Sequence, residues 1–155
     1  MEEYIQYIQN VIAFDYLASL LLAFLITLPI GWEREKDTHS IGMRTFPLVS
    51  LASCGYMLIG QSIVSDDPEA LAKILYGLMT GIGFIGGGAI LKLKEEASVH
   101  GTATAASIWN TGAIGAAVAF QRYEIAIALA VVNFAALRFV PKLKKKIVPI
   151  ENPKN

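Results

Sequence analysis

The chain has 155 residues, 54% of them hydrophobic and 17% charged, with 13 Lys and Arg against 13 Asp and Glu and a mean hydropathy of +0.50. That apolar content exceeds what a soluble domain of this length needs for its core, and zero net charge excludes the basic field that nucleic-acid binding requires. The single cysteine, Cys54, excludes an internal disulfide and a cysteine-based zinc site, and between Ser53 and Gly55 in an apolar run it reads as a small packing residue.

The expected fold is all-α, a polytopic transmembrane bundle. Residues 1–14 place Tyr4, Ile5, Ile8, Val11 and Ile12 at helical spacing with Glu2, Glu3, Gln6 and Gln9 largely opposite, which predicts an amphipathic helix lying in the membrane interface. This start has no positive flank and no small-residue cleavage pattern, so it is read as part of the mature protein. Asp15 is the expected N-cap of a first span over residues 16–30, and because a bilayer needs roughly 20 residues, the helix is expected to include flanking positions up to Trp32 or Arg34. Pro29 and Gly31 should loosen or bend its end.

A charged connection follows, with Glu33, Arg34, Glu35, Lys36, Asp37 and Arg44 packed between two apolar runs. The second span covers residues 46–63, with Thr45 as N-cap and Pro47 in the first turn, where a missing N–H costs little. Asp66-Asp67-Pro68 signals the start of a third apolar segment over residues 71–91. Residues 102–120 form the weakest span, interrupted by Thr102, Thr104, Ser107, Asn110 and Thr111, although Thr104, Ser107 and Thr111 share a face that must look into the bundle. Gln121-Arg122-Tyr123-Glu124 makes a tight connection to the last span, residues 125–140, which is broken by Asn133 and ended by Arg138 and Pro141. Residues 15–140 are thus the transmembrane domain and residues 141–155 a basic tail.

Lys and Arg divide unequally over this layout. Arg34, Lys36, Arg44, Lys92, Lys94, Arg138, Lys142, Lys144, Lys145, Lys146 and Lys154 fall on one side, Lys73 and Arg122 on the other. The positive-inside rule then puts the N-terminus outside and the C-terminus in the cytoplasm, with five spans. In a four-span alternative, residues 102–120 lie in the interface or re-enter, and the N-terminus moves to the tail's side.

Gly81-Ile82-Gly83-Phe84-Ile85-Gly86 has the letters of a dinucleotide fingerprint but neither the preceding strand nor the βαβ unit that would give them meaning. Gly77 with Gly81, and Gly83 with Gly87, read instead as helix-packing pairs, and the run Gly86-Gly87-Gly88 leaves open a local unwinding beside a polar cavity. Asn110 and Asn133 either bond between helices or, for Asn110 near Thr104, Ser107 and Thr111, contact a ligand or ion. His39 and His100, in separate connections, are weak metal donors. With no nucleophile set and no carboxylate pair in a cleft, the chain reads as non-enzymatic. The charged connection is either a solvated loop that fixes topology or a structured hairpin in which Glu33 bridges to Arg44 and holds two helix ends together.

Three motifs together resemble the membrane domain of the MgtC/SapB family over about residues 12–140: Gly31-Trp32-Glu33-Arg34-Glu35 with Gly42-Met43-Arg44-Thr45 and Leu48-Val49; the glycine run from Gly81 to Gly88; and Val99-His100-Gly101-Thr102-Ala103-Thr104-Ala105-Ala106-Ser107-Ile108-Trp109. The resemblance implies a multi-pass protein of the bacterial inner membrane, tied to magnesium limitation, acid stress and virulence-related survival in host cells. Longer members carry a cytoplasmic domain after the last span, which the roughly fifteen residues after Val140 do not supply, and Asn110 stands where relatives are expected to have an apolar or small residue. The expected site residues are Glu33, Arg34, Glu35, Arg44, Thr45, Thr104, Ser107 and Asn110, with Gly77, Gly81, Gly83, Gly86, Gly87 and Gly88 for helix packing. No cofactor is expected, and Mg2+ remains open as a ligand. The expected partners are the lipid bilayer, a second copy in a homodimer and another inner-membrane protein, with no nucleic acid. Scarce charge at membrane depth favours a factor that modulates another membrane protein in magnesium or acid-stress homeostasis; the alternative is a small channel or transporter for Mg2+ or another cation, with Glu33, Arg34 and Arg44 at its mouth and the 81–88 and 104–111 faces lining the path.

Overall fold

A backbone surrounded by apolar side chains must satisfy its own hydrogen bonds, and among the described residues five helices do so. The computed structural model describes residues 2–36, 42–64, 67–92 and 99–147, with side chains described except at 2–12, 91–92, 99–100, 142 and 144–147. In order the elements are α1 (Glu2–Glu35), α2 (Thr45–Val64), α3 (Pro68–Gly88), β1 (Leu91–Lys92), β2 (Val99–His100), α4 (Thr102–Ala119) and α5 (Tyr123–Ile147).

α1 corrects two expectations. It runs through Asp15 without a break, so Asp15 caps nothing and residues 2–14 continue into the first span instead of forming a separate helix. No Gly or Pro occurs before Pro29, and one Asp in a helix interior costs well under about 1 kcal/mol. Pro29 lies inside the helix, which continues to Glu35. α2 begins at Thr45, and the Arg44 carbonyl accepts its first helical bond from Leu48 N at 3.2 Å, so the cap falls one residue before the expected Thr45. At α3, Asp67 acts as expected of its type: Oδ1 accepts from Glu69 N (3.0 Å) and Ala70 N (3.1 Å), with Pro68 in the first helical position. α3 stays helical through Gly88, so the glycine run does not unwind. β1 and β2 then pair antiparallel, Leu91 opposite His100 and Lys92 opposite Val99. Gly101 turns the chain into α4 at φ +88°, against the Ala89 carbonyl, a conformation and a closeness that both exclude a side chain.

α4 is the centre of the fold and packs on all four other helices. Small residues make this possible: a Cβ on Gly115 would run into the Ser50 carbonyl of α2, and one on Gly112 into the Ile82 side chain of α3. Around this contact Ile30, Phe46, Met57, Ile108, Ile114 and Val118 are fully buried. Leu17, Leu21, Leu25, Tyr56, Ile59, Ile63, Phe84, Val131 and Val132 face outward, an apolar exterior far larger than a water-soluble monomer carries. Among the described residues, four segments are long and apolar enough to cross a membrane: Ala13–Glu35, Thr45–Val64, Pro68–Gly88 and Tyr123–Pro141. α4 is not among them.

Side-chain contacts fix which ends meet. Gln61 Nε2 donates to the Ala119 carbonyl at 3.3 Å, and Gly60 lies against Ile74, so the end of α2, the start of α3 and the end of α4 share one pole. Glu33, Met43, Thr104 and Arg138 meet at the other. Among the described residues, α2 and α4 thus each run from one pole to the other.

Gly115→Ala should lower stability by about 1–3 kcal/mol, the usual cost of forcing volume into a packed contact. Gly77→Ala, whose added Cβ would meet nothing within 4 Å among the described residues, should stay within about 0.5 kcal/mol of the parent. Thermal unfolding in detergent separates the two; equal effects would refute the packing account of Gly115.

Candidate functional site at the end of the first helix

The last turn of α1 sends three consecutive side chains to three different parts of the fold. Glu33 accepts from Arg138 Nη1 of α5 (3.0 Å to Oε1, 3.4 Å to Oε2) and from Lys36 Nζ (2.6 Å), and its side chain is only 12% exposed. Arg34 Nη2 donates to Thr104 Oγ1 at the start of α4, at 2.7 Å. Glu35 Oε2 accepts the backbone N–H of Met43 at 2.7 Å, in the turn that leads into α2. A helix end normally leaves its final carbonyls and side chains to solvent. Here it joins α2, α4 and α5.

Two motif glycines explain how α1 comes so close. A Cβ on Gly31 would stand 3.0 Å from the Met43 Cα, and one on Gly42 would occupy the place of the Glu35 carboxylate. Both glycines are buried. The motif Gly-Trp-Glu-Arg-Glu with Gly-Met-Arg-Thr is thus one object, a helix end and a turn packed backbone to backbone, with Ile30 and Phe46 fully buried beneath.

Of the expected site residues, Glu33, Arg34, Glu35 and Thr104 are brought together. Arg44 lies exposed at the rim and Thr45 is half-buried as the first residue of α2. The expected Glu33–Arg44 bridge is not formed, because the Glu33 carboxylate is turned to Lys36 and Arg138. Ser107 and Asn110 sit deeper, on the α4–α5 seam: Ser107 Oγ donates to Asn133 Oδ1 (3.0 Å) and Asn110 Nδ2 to the Leu129 carbonyl (3.2 Å). Thr111 donates to Ile108 O of its own helix at 2.7 Å. As the spacing required, Thr104, Ser107 and Thr111 are all buried.

The glycine run behaves differently from expectation. Gly86 packs on the Ala105 backbone and Gly83 faces the Trp109 indole, whereas a Cβ on Gly77, Gly81, Gly87 or Gly88 would meet nothing within 4 Å among the described residues. Beside α3 lies a cavity of about 250 Å³, lined by apolar groups including Leu75, Leu78, Ile82, Trp109 and Phe120. It is not the polar path sketched from the 81–88 and 104–111 faces, since the hydroxyls of Thr104 and Ser107 turn to α1 and α5. His39 lies outside the described residues, as does the His100 side chain, and the described residues hold no group of three His, Cys, Asp or Glu suited to a metal.

Arg138 is the site residue that sequence reasoning missed. In the sequence it reads as the cation ending the last span; the available signal is that α1 ends in carboxylates and α5 in a cation next to an apolar run, which can be matched across a bundle but not along a sequence.

Fold and site together define a helical membrane protein whose helix ends are joined by a charged cluster at one pole. The MgtC family model matches residues 20–146, and the chain belongs to the MgtC family. It is 33% identical over 118 residues to Protein SrpB of Synechococcus elongatus, covering 70% of this chain and 65% of that protein. To Protein MgtC of Salmonella typhimurium it is 30% identical over 128 residues, covering 83% and 53%. To YhiD of Escherichia coli K12, whose name assigns it provisionally to magnesium transport, it is 30% identical over 140 residues, covering 86% and 64%. The chain thus spans between about half and two thirds of these relatives' lengths. No solved structure is significantly similar.

Two measurements test the site. Glu33→Gln and Arg138→Gln should each lower the thermal midpoint, and the double variant should lose clearly less than the sum, whereas Glu33→Gln with Arg44→Gln should be additive; additivity in both cycles would dissolve the Glu33–Arg138 pair. On the α4–α5 seam, Ser107→Ala should cost about 0.6–2 kcal/mol, the range for interhelical hydrogen bonds in membranes, and that loss should vanish in an Asn133→Leu background.

Proposed function

We propose that this is a bacterial inner-membrane protein of magnesium or acid-stress homeostasis that acts without enzymatic chemistry, by modulating another membrane protein. The assignment to magnesium rests on family relatives and is carried by no residue of this chain. The modulating mode is supported by one observation: the polar groups between helices engage one another, Arg34 with Thr104, Ser107 with Asn133 and Asn110 with Leu129 O. Groups engaged in this way hold helices together; a transport path needs them turned towards a passing ion.

In this reading the protein crosses the membrane five times, with the charged pole and the basic tail in the cytoplasm and the N-terminus outside. The pole-to-pole course of α4 supports the fifth crossing, since 18 residues of helix reach about 27 Å. A homodimer contact, where it forms, uses the outward row of Gly77 and Gly81 on α3.

The transporter reading draws on a different observation. Ser50 Oγ and Asn133 Nδ2 are buried with no hydrogen-bond partner among the described residues, and such groups require water or a further ligand. Mg2+ would then be cargo, met at the charged pole.

Purified protein in liposomes should admit no more Mg2+ than empty vesicles, while crosslinking in cells under magnesium limitation should capture a distinct membrane protein. Flux above background that is lost on Glu33→Gln would overturn the modulating role.

A further inference from the structure

The last turns of α5 carry charge in excess of anything the cluster uses. At this pole the described cations are Arg34, Lys36, Arg44 and Arg138 and the described carboxylates Glu33 and Glu35. α5 then continues through Lys142, Lys144, Lys145 and Lys146. Arg138, Lys142 and Lys145 occur at i, i+4 and i+7 and occupy one row of the helix. Glu33 takes only Nη1 of Arg138, a guanidinium with five N–H donors, and the Arg138 side chain remains 40% exposed.

Beside this basic row runs an exposed apolar one. Phe139 and Leu143, four residues apart, are 55% and 56% exposed, and across the cluster Trp32 of α1 is 64% exposed. Topology needs only positive charge on the correct side. It does not need three of the cations, Arg138, Lys142 and Lys145, to share a row next to bare apolar side chains at the end of the bundle. That combination matches a molecule with a phosphate at one end and hydrocarbon at the other. A soluble anion would use the cations and leave Phe139 and Leu143 without a role; a nucleic acid would do the same.

We propose that the end of α5, from Arg138 to Lys146, binds the headgroup of an acidic phospholipid, with the acyl chain against Phe139 and Leu143. The lipid would join α5 to α1 on the outer side of the Glu33–Arg138 pair, extending the cluster into the bilayer surface. Charge complementarity sets the class of lipid, because a zwitterionic headgroup brings its own cation to the row.

The full chain in detergent, titrated with phosphatidylglycerol or phosphatidylcholine, gives the test. Phosphatidylglycerol should raise the thermal midpoint and phosphatidylcholine should not. The rise should shrink at high salt and be largely lost in Lys142→Gln/Lys145→Gln, whose midpoint without lipid matches the parent. Native mass spectrometry should show acidic lipid retained by the parent and depleted in the double variant. An equal rise with phosphatidylcholine, an undiminished rise in the double variant, or the same rise from inorganic phosphate alone would overturn the proposal.

Discussion

The junction of Glu33 with Arg138 sets the geometry on which the rest of the fold depends. A carboxylate 12% exposed at the end of a membrane helix needs a cation within reach, and the cation comes from the far end of the sequence, so the first and last long helices must lie side by side at this pole. Arg34 and Glu35, on the neighbouring positions of the same turn, then have directions of their own, and these lead to α4 and to the turn before α2. Since i, i+1 and i+2 positions of a helix point about 100° apart, three consecutive polar residues can hold three partners only if the helix ends inside the bundle rather than at its edge. Gly31 and Gly42 allow that, because each leaves room that a Cβ would fill with an atom of the facing segment.

The same reasoning accounts for the polarity of α4. A helix bordered by lipid must present apolar groups all round, but α4 packs on the other four helices and leaves only Ala106, Trp109 and Ala113 exposed beyond its first turn, so it can carry Thr104, Ser107, Asn110 and Thr111 on its covered faces provided each is bonded. Small residues, Gly112 and Gly115 among them, are the other requirement of a central helix, since they set how close its neighbours stand. Low hydropathy here is a mark of centrality. It is also why α4 falls outside the segments apolar enough to cross a membrane by composition, although it runs the length of the bundle.

Much of the fold was legible because its signals are local. The Asp67-Pro68 start of α3, Pro47 in the first turn of α2 and the buried face of Thr104, Ser107 and Thr111 all follow from spacing within a few residues. Local signals also misled: Asp15 looks like a cap, but a lone Asp has no power to interrupt a helix whose neighbours on both sides continue it. The site was legible in part. Glu33, Arg34 and Glu35 stood out as charges at the edge of an apolar run, yet their partners Arg138, Thr104 and the Met43 amide are between 8 and 105 residues away, and Arg44 was the nearer but wrong choice for Glu33. The glycines of α3 show the opposite failure: the spacing is right for packing, but spacing does not say whether the facing surface belongs to the same chain.

The helices are therefore not equally constrained. α1, α2, α4 and α5 are joined by polar contacts with definite geometry, including the Glu33–Arg138 pair at one pole, the Gln61–Ala119 bond at the other and the Ser107–Asn133 bond between them. Among the described residues, α3 touches the rest through apolar groups and glycines alone, Ile82 against Gly112 and Gly86 against Ala105, with an apolar cavity along its side. Apolar packing in a membrane has no hydrophobic drive behind it, because lipid tails are as apolar as the side chains they replace. A helix held only in that way is the one that can shift or accept a new neighbour without breaking a polar bond, and it is also the helix whose open face carries Gly77 and Gly81. The charged end of α1 fixes four helices in one arrangement, and α3 is joined to them, among the described residues, by apolar packing alone.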